Sequence, residues 1–335
     1  MYKHQFFLYI TIVFICISGC KSQNNSTMSD KNNPLLCNPE TGICEIPLSA
    51  NDSNGIVSIA DSLKPVKIIY FTDPICSSCW GIEPQLRKLK LEYGNTVSIE
   101  YRMGGLLPDW SYNSGGISKP SDVAHHWDEV SHYYDMPIDG DVWLQDPLHS
   151  SYPPSIAFIA AQLQSKEKAL LFMRKIREMV FLEKKNITKW EHLENAAKTV
   201  GLDIQQFKTD YEGKANALFQ QDLSMARSMG VRGFPTLICS DSSGKTEIIY
   251  GSKPYAVFTN TILKLHPAAI KTVYNKDWAS VFAKYPSLTA REFAELTDIP
   301  RSESETTLQK LTDSGYLEKL ETKNGGLWRL KTAIK

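Results

Sequence analysis

Val66-Lys67-Ile68-Ile69-Tyr70-Phe71, followed by Thr72-Asp73-Pro74-Ile75-Cys76-Ser77-Ser78-Cys79-Trp80-Gly81, is the stretch on which the fold turns. Its first six residues are short, β-branched and aromatic, and read as a buried strand. Asp73-Pro74 closes that strand. Residues 79 to 93 then read as a helix, with Trp80, Ile82, Leu86 and Leu89 near helical spacing and charges between them. A Cys-x-x-Cys therefore sits where a strand passes into a helix. Zinc sites use the same spacing, so the position carries the reading. It puts Cys76 at a helix N-terminus, where unpaired N–H groups and the macrodipole favour an anion. The thiolate is the nucleophile of thiol–disulfide exchange. Cys79 lies one turn further in, more shielded, and is placed to resolve a mixed disulfide formed at Cys76.

Outward from this centre, Thr96 to Tyr101 alternates like a second strand, and Gly104-Gly105 breaks the pattern. Residues 121 to 229 are mostly helical. Ser155 to Ala169 and Leu170 to Leu182 carry apolar stripes, and Thr188 with Glu191 looks like a capping box. Leu202 to Tyr211 and Lys214 to Met229 follow. Pro235 to Cys239 reads as a strand, and Lys245 to Tyr250 as its hairpin partner across Ser242-Ser243-Gly244. Tyr255 to Leu265 is a closing helix. The order predicts an α/β domain over residues 65–270 with a mixed sheet and a large helical insertion at about 117–229.

A further unit, residues 276–335, starts near Trp278. Leu288 to Leu296 and Ser302 to Ser314 read as helices, and Tyr316–Leu320 and Leu327–Leu330 as strands joined by Asn324-Gly325. Helix, turn, helix and hairpin resemble a winged helix. Arg301 and Lys310 on its second helix face Glu303, Glu305 and Asp313, a net negative set that repels phosphate. Across the chain, 37 Lys+Arg balance 37 Asp+Glu. Nothing in that balance argues for a nucleic-acid partner.

At the N-terminus, Lys3 and His4 precede an apolar run from Phe6 to Ile17, too short to span a bilayer well but suited to a signal peptide. It ends in Ile17-Ser18-Gly19-Cys20, which resembles the bacterial lipobox. The resemblance implies a signal peptide over residues 1–19, lipidation at Cys20, and a tether over 20–64 at a membrane of the cell envelope. The alternative is a cytoplasmic chain starting at Met28. Seven cysteines follow from the composition. Cys16 belongs to the signal core, and Cys239, inside an apolar run, reads as an inert buried thiol. Cys37 and Cys44 lie in a polar segment. In an oxidising compartment they would form a structural staple or shuttle electrons to Cys76. A four-cysteine zinc site with Cys76 and Cys79 is the competing reading, and would disable the dithiol.

Further along, Gly230-Val231-Arg232-Gly233-Phe234-Pro235-Thr236 precedes a strand. With this motif and the dithiol together, the chain resembles the thioredoxin superfamily and, within it, the DsbA family, over roughly residues 33 to 265. Asn33 to Gly42 and Gly104-Gly105-Leu106-Leu107-Pro108 fit one branch of that group. The resemblance implies a cis Pro235 against the dithiol, with Phe234, Pro235 and Thr236 at the substrate-binding site. A proline there also keeps a main-chain N–H from competing for the thiolate. It implies catalysis by Cys76 and Cys79 on cysteine-containing protein substrates, an unidentified redox partner, no metal, and no cofactor beyond the dithiol. Some cytosolic proteins of this branch act instead as ClpXP adaptors that deliver a transcription regulator. Ser77-Ser78 departs from the His of the oxidising members and the Pro of thioredoxin. It leaves oxidase, isomerase and reductase directions open.

Two lesser candidates read as surface features. His125, His126, Asp128, Glu129 and His132 mark a solvated helix face, and Glu83, seven residues after Cys76, an exposed salt-bridge residue with proton relay to Cys79 as the sharper option.

Overall fold

Why the chain folds as it does is clearest in the strand that leads to the dithiol. In a computed structural model describing residues 42–45, 64–111 and 119–331, β2 (Val66–Thr72; β1 is Cys44–Glu45) is central and almost wholly buried. That is what an uninterrupted apolar run requires of a strand covered on both faces. The chain then forms α1 (Ser77–Gly81), α2 (Glu83–Tyr93) and β3 (Val97–Met103), which returns parallel to β2. The single helix expected over 79–93 is split at Ile82. Pro84 in the first turn of α2 lacks the N–H that a continuous helix would need from it.

Among the described residues, seven helices separate β3 from the next strand: α3 (Pro120–Tyr134), α4 (Val142–Gln145), α5 (Tyr152–Gln164), α6 (Lys166–Phe181), α7 (Trp190–Thr199), α8 (Ile204–Glu212) and α9 (Lys214–Ser228). The α5/α6 break falls at Ser165, whose hydroxyl accepts the Lys168 N–H at 3.2 Å, and not at 169/170. The capping box expected at Thr188 does not form. Lys189 is the N-cap of α7, and the Thr188 hydroxyl donates to Asn186 Oδ1 at 2.6 Å. Then come β4 (Gly233–Phe234), β5 (Thr236–Asp241), β6 (Thr246–Tyr250) and α10 (Tyr255–Leu265). The main sheet runs β3-β2-β5-β6, with β5 antiparallel to β2 and β6 antiparallel to β5. This mixed sheet with its helical insertion is the thioredoxin-like architecture expected above.

The tail comprises α11 (Trp278–Lys284), β7 (Ser287–Thr289), α12 (Ala290–Thr297), α13 (Arg301–Asp313), β8 (Leu317–Thr322) and β9 (Gly325–Leu330), its sheet in the order β7-β9-β8. β7 falls where a helix is predicted from Leu288 onward. Leu288 instead pairs with Trp328, and Thr289 opens α12 through a reciprocal capping box with Glu292. Phe282, Leu288, Phe293, Leu308 and Trp328 give the tail its own core. It is docked through buried charge. Glu292, fully buried, takes Arg174 at 2.8 Å and Arg87 Nε at 3.3 Å, and Arg87 Nη1 also donates to Ser287 O at 2.8 Å. Arg301 is paired with Asp135, so α13 commits that cation to the α/β domain.

Candidate redox site

The turn after β2 is held by Asp73, a fully buried carboxylate. Its Oδ1 accepts the Ile75 N–H at 3.0 Å, and its Oδ2 accepts the Leu106 N–H at 2.8 Å and the Ser151 hydroxyl at 2.7 Å. Burial pushes this carboxyl up to about 6, against the pull of those three donors. The turn delivers Cys76 as the N-cap of α1, its sulfur accepting the Cys79 N–H at 3.2 Å. Both thiols are free and fully buried, and the Cys76 thiol donates to Cys44 Sγ at 3.3 Å.

Neighbouring groups move the two sulfurs apart electrostatically. Cys79 is held below the usual thiol range: burial opposes this, but the hydrogen bond from Cys76, the Arg177 guanidinium and the Thr72 and Tyr70 hydroxyls together outweigh it. Cys76 is raised by burial and by its neighbour Cys79. The helix-terminus argument predicts the reverse order. It fails here because both sulfurs are equally shut off from solvent, while the Arg177 guanidinium and the Tyr70 and Thr72 hydroxyls act on Cys79 and the Asp73 carboxylate raises Cys76.

Arg177 is the residue that reading the sequence missed. It comes from α6 and is 1% exposed. It donates to Thr72 Oγ1 at 2.7 Å and to Asp73 O at 3.2 Å, and pairs with Glu83 at 3.4 Å. Its Nε has no acceptor among the described residues. A signal was present: Arg177 falls on the same face of α6 as Met173 and Val180, four before it and three after it, and a lone cation inside an apolar stripe is costly unless used. Glu83 makes salt bridges, as expected, but is half-buried and not exposed; burial opposes its ionisation, yet Arg87 and Arg177 on either side hold it below the usual carboxylate range.

Opposite the dithiol, the Phe234–Pro235 bond is cis, and Thr236 pairs with Phe71. Pro235 thus comes level with the end of β2. The Phe234 ring lies on Gly104, where an added Cβ would sit 1.7 Å from its Cζ. The same loop accepts a strand: β1 pairs antiparallel with β4, Cys44 opposite Phe234. Cys44 is disulfide-bonded, and its Sγ lies 3.3 Å from Cys76 Sγ and 3.4 Å from Ser78 Oγ, which bonds the Tyr134 hydroxyl at 2.6 Å. A disulfide sulfur is no thiolate ligand for zinc. Cys37, Cys20 and Cys16 lie outside the described residues. Trp80 is core, stacked on Phe181 and covered by Arg174. Burial pushes the free Cys239 thiol up to about 12. His125 Nε2 lies 3.1 Å from Glu129 Oε1 on an exposed face, while Asp128 binds Lys323 and Asn324 of the tail.

Comparison with known proteins gives this geometry its family. Residues 70–260 match the thioredoxin model described as "Thioredoxin_5: Thioredoxin". The chain belongs to the thioredoxin family. It is 34% identical over 308 residues to the ClpXP adapter protein SpxH of Halalkalibacterium halodurans, covering 90% of this chain and 99% of that one. It is 30% identical to SpxH of Shouchella clausii, covering 88% and 96%. Among solved structures, a proposed protein disulfide isomerase from Nitrosomonas europaea superposes with a TM-score of 0.52 at 20% identity, over 61% of this chain and 99% of that one, a likeness of fold.

Proposed function

We propose that the chain is a thiol–disulfide oxidoreductase acting on protein cysteines through Cys76 and Cys79. The observation that carries this reading is the free, buried thiol pair at the head of α1, with Arg177 beside it and facing a loop that accepts an extended strand. The Cys76 thiolate attacks one sulfur of a substrate disulfide, that S–S bond breaks, and a substrate thiolate leaves. Cys79 then attacks the Cys76 sulfur, closing Cys76–Cys79 and releasing the second substrate thiolate. Run backward, the same steps oxidise a dithiol, and the partner's reduction potential sets the direction. Arg177, Thr72 and Tyr70 stabilise the thiolate at Cys79, whether it is attacking or leaving. Phe234, Pro235 and Thr236 form the docking edge. With lipidation at Cys20 the enzyme would work at a membrane of the cell envelope. No helix among the described residues is long and apolar enough to cross one.

The test is a Cys79→Ala chain incubated with a disulfide-bonded peptide. A mixed disulfide through Cys76 should accumulate that the native chain clears. If neither Cys79→Ala nor the Cys44→Ser/Cys79→Ala double variant forms an adduct, catalysis is refuted.

The SpxH relatives, similar over most of both lengths, favour a second reading: an adaptor that presents a regulator to ClpXP. It requires a cytoplasmic chain. A lipidated Cys20 at the mature N-terminus contradicts it, while an unmodified Met28 or Ser29 together with faster ClpXP degradation of a bound protein supports it.

A further inference from the structure

We propose that the disulfide at Cys44 is an internal substrate of the Cys76–Cys79 dithiol, seated on the Phe234 edge in the place an external peptide would take. The inference rests on the oxidoreductase reading and extends it to a named substrate within the chain. Three independent observations converge. β1 forms backbone pairs with β4, Cys44 opposite Phe234 and Glu45 opposite Gly233, so the strand seat beside the dithiol is filled by this chain. The seat is fitted: a Cβ on Gly233 would lie 2.5 Å from Ile43 Cγ2 and 2.6 Å from Cys44 O, so only a glycine lets β1 approach that closely. The redox states are complementary, since Cys76 is a free thiol and Cys44 is half of a disulfide, with 3.3 Å between their sulfurs.

The step balances without an outside reagent. The Cys76 thiolate attacks Cys44 Sγ, the Cys44 disulfide breaks, and the other cysteine of that bond, which lies outside the described residues, leaves as a thiolate. Cys79 attacks the Cys76 sulfur, the Cys76–Cys44 bond breaks, and Cys44 leaves. Two electrons pass from the dithiol to the Cys44 disulfide, and the reverse sequence returns them. Burial keeps Cys76 largely protonated, which is why thiol and disulfide coexist at contact distance. Exchange runs through the thiolate fraction and so quickens about tenfold per pH unit below the Cys76 pKa. A seat occupied by β1 nine-tenths of the time slows capture of an external peptide about tenfold.

The experiment uses the full chain carrying Cys79→Ala, dilute and free of added thiols, with non-reducing peptide mapping by mass spectrometry. The expected product is a Cys44–Cys76 linked peptide, its yield independent of protein concentration and its rate rising with pH. Separately, Ile43→Asp, which puts a charge at the 6%-exposed Ile43 beside the seat, should release β1 and speed capture of a disulfide-bonded peptide by Cys76 about tenfold. If Cys76 captures the peptide but no Cys44–Cys76 link forms, and Ile43→Asp leaves the capture rate unchanged, the inference is overturned while the oxidoreductase reading stands. If Cys76 captures nothing even with Ile43→Asp, both fall.

Discussion

Asp73→Asn probes the charge beneath the redox turn, and its size follows from the structure. The Asp73 carboxyl is fully buried and titrates at about 6 in the fold against 3.8 as the ordinary value. At ~1.4 kcal/mol per unit, a neutral Asp73 contributes ~3 kcal/mol that an ionised one does not. Because the folded value is raised, that stability is fully present below the ordinary value and is lost as pH rises through about 6. The cost is ~1 kcal/mol at pH about 4.5 and ~3 kcal/mol at pH about 7.5. Asparagine stays neutral throughout. It cannot replace all three accepted hydrogen bonds, which adds a pH-independent loss of ~1–3 kcal/mol. Urea unfolding of both chains at matched redox state, across that range, should therefore show the native chain losing ~2 kcal/mol relative to the variant. Stability curves that run parallel would refute the buried titration. The ionised carboxylate also raises Cys76, so Asp73→Asn should lower the pH midpoint of Cys76 alkylation.

Arg177→Met, in a Cys76→Ser background, should raise the pH midpoint of Cys79 thiolate absorbance by ~1–3 units. An unmoved midpoint would mean that the guanidinium does not govern that thiol. Gly104→Ala puts a methyl group into the Phe234 ring and should cost ~1–3 kcal/mol in urea unfolding. Stability equal to the native chain would show that the loop yields freely. Glu292→Gln leaves Arg87 and Arg174 facing a neutral amide in a buried interface and should cost ~3–5 kcal/mol. A loss under ~1 kcal/mol would show that the tail docks by its apolar contacts instead.

Local pattern determined the elements and their order. A β-branched run bounded by Asp-Pro can only be comfortable as a strand, and the α10 pattern at Tyr255 to Leu265 marks both its ends. The Cys-x-x-Cys and the Gly-x-x-Gly-x-Pro loop were legible for the same reason: each is a short segment whose chemistry depends on its neighbours in sequence. β7 was not legible, because three residues make a strand only when Trp328 returns to pair with them. Nor was the partition of charge between the two sulfurs, which depends on a guanidinium from α6. Sequence by itself therefore determined that a dithiol opens a helix beside a β-strand. Only tertiary structure decided that Arg177 lies beneath it and Cys44 upon it, since Coulomb forces and sulfur contacts act through a few ångströms of space, whatever the separation along the chain.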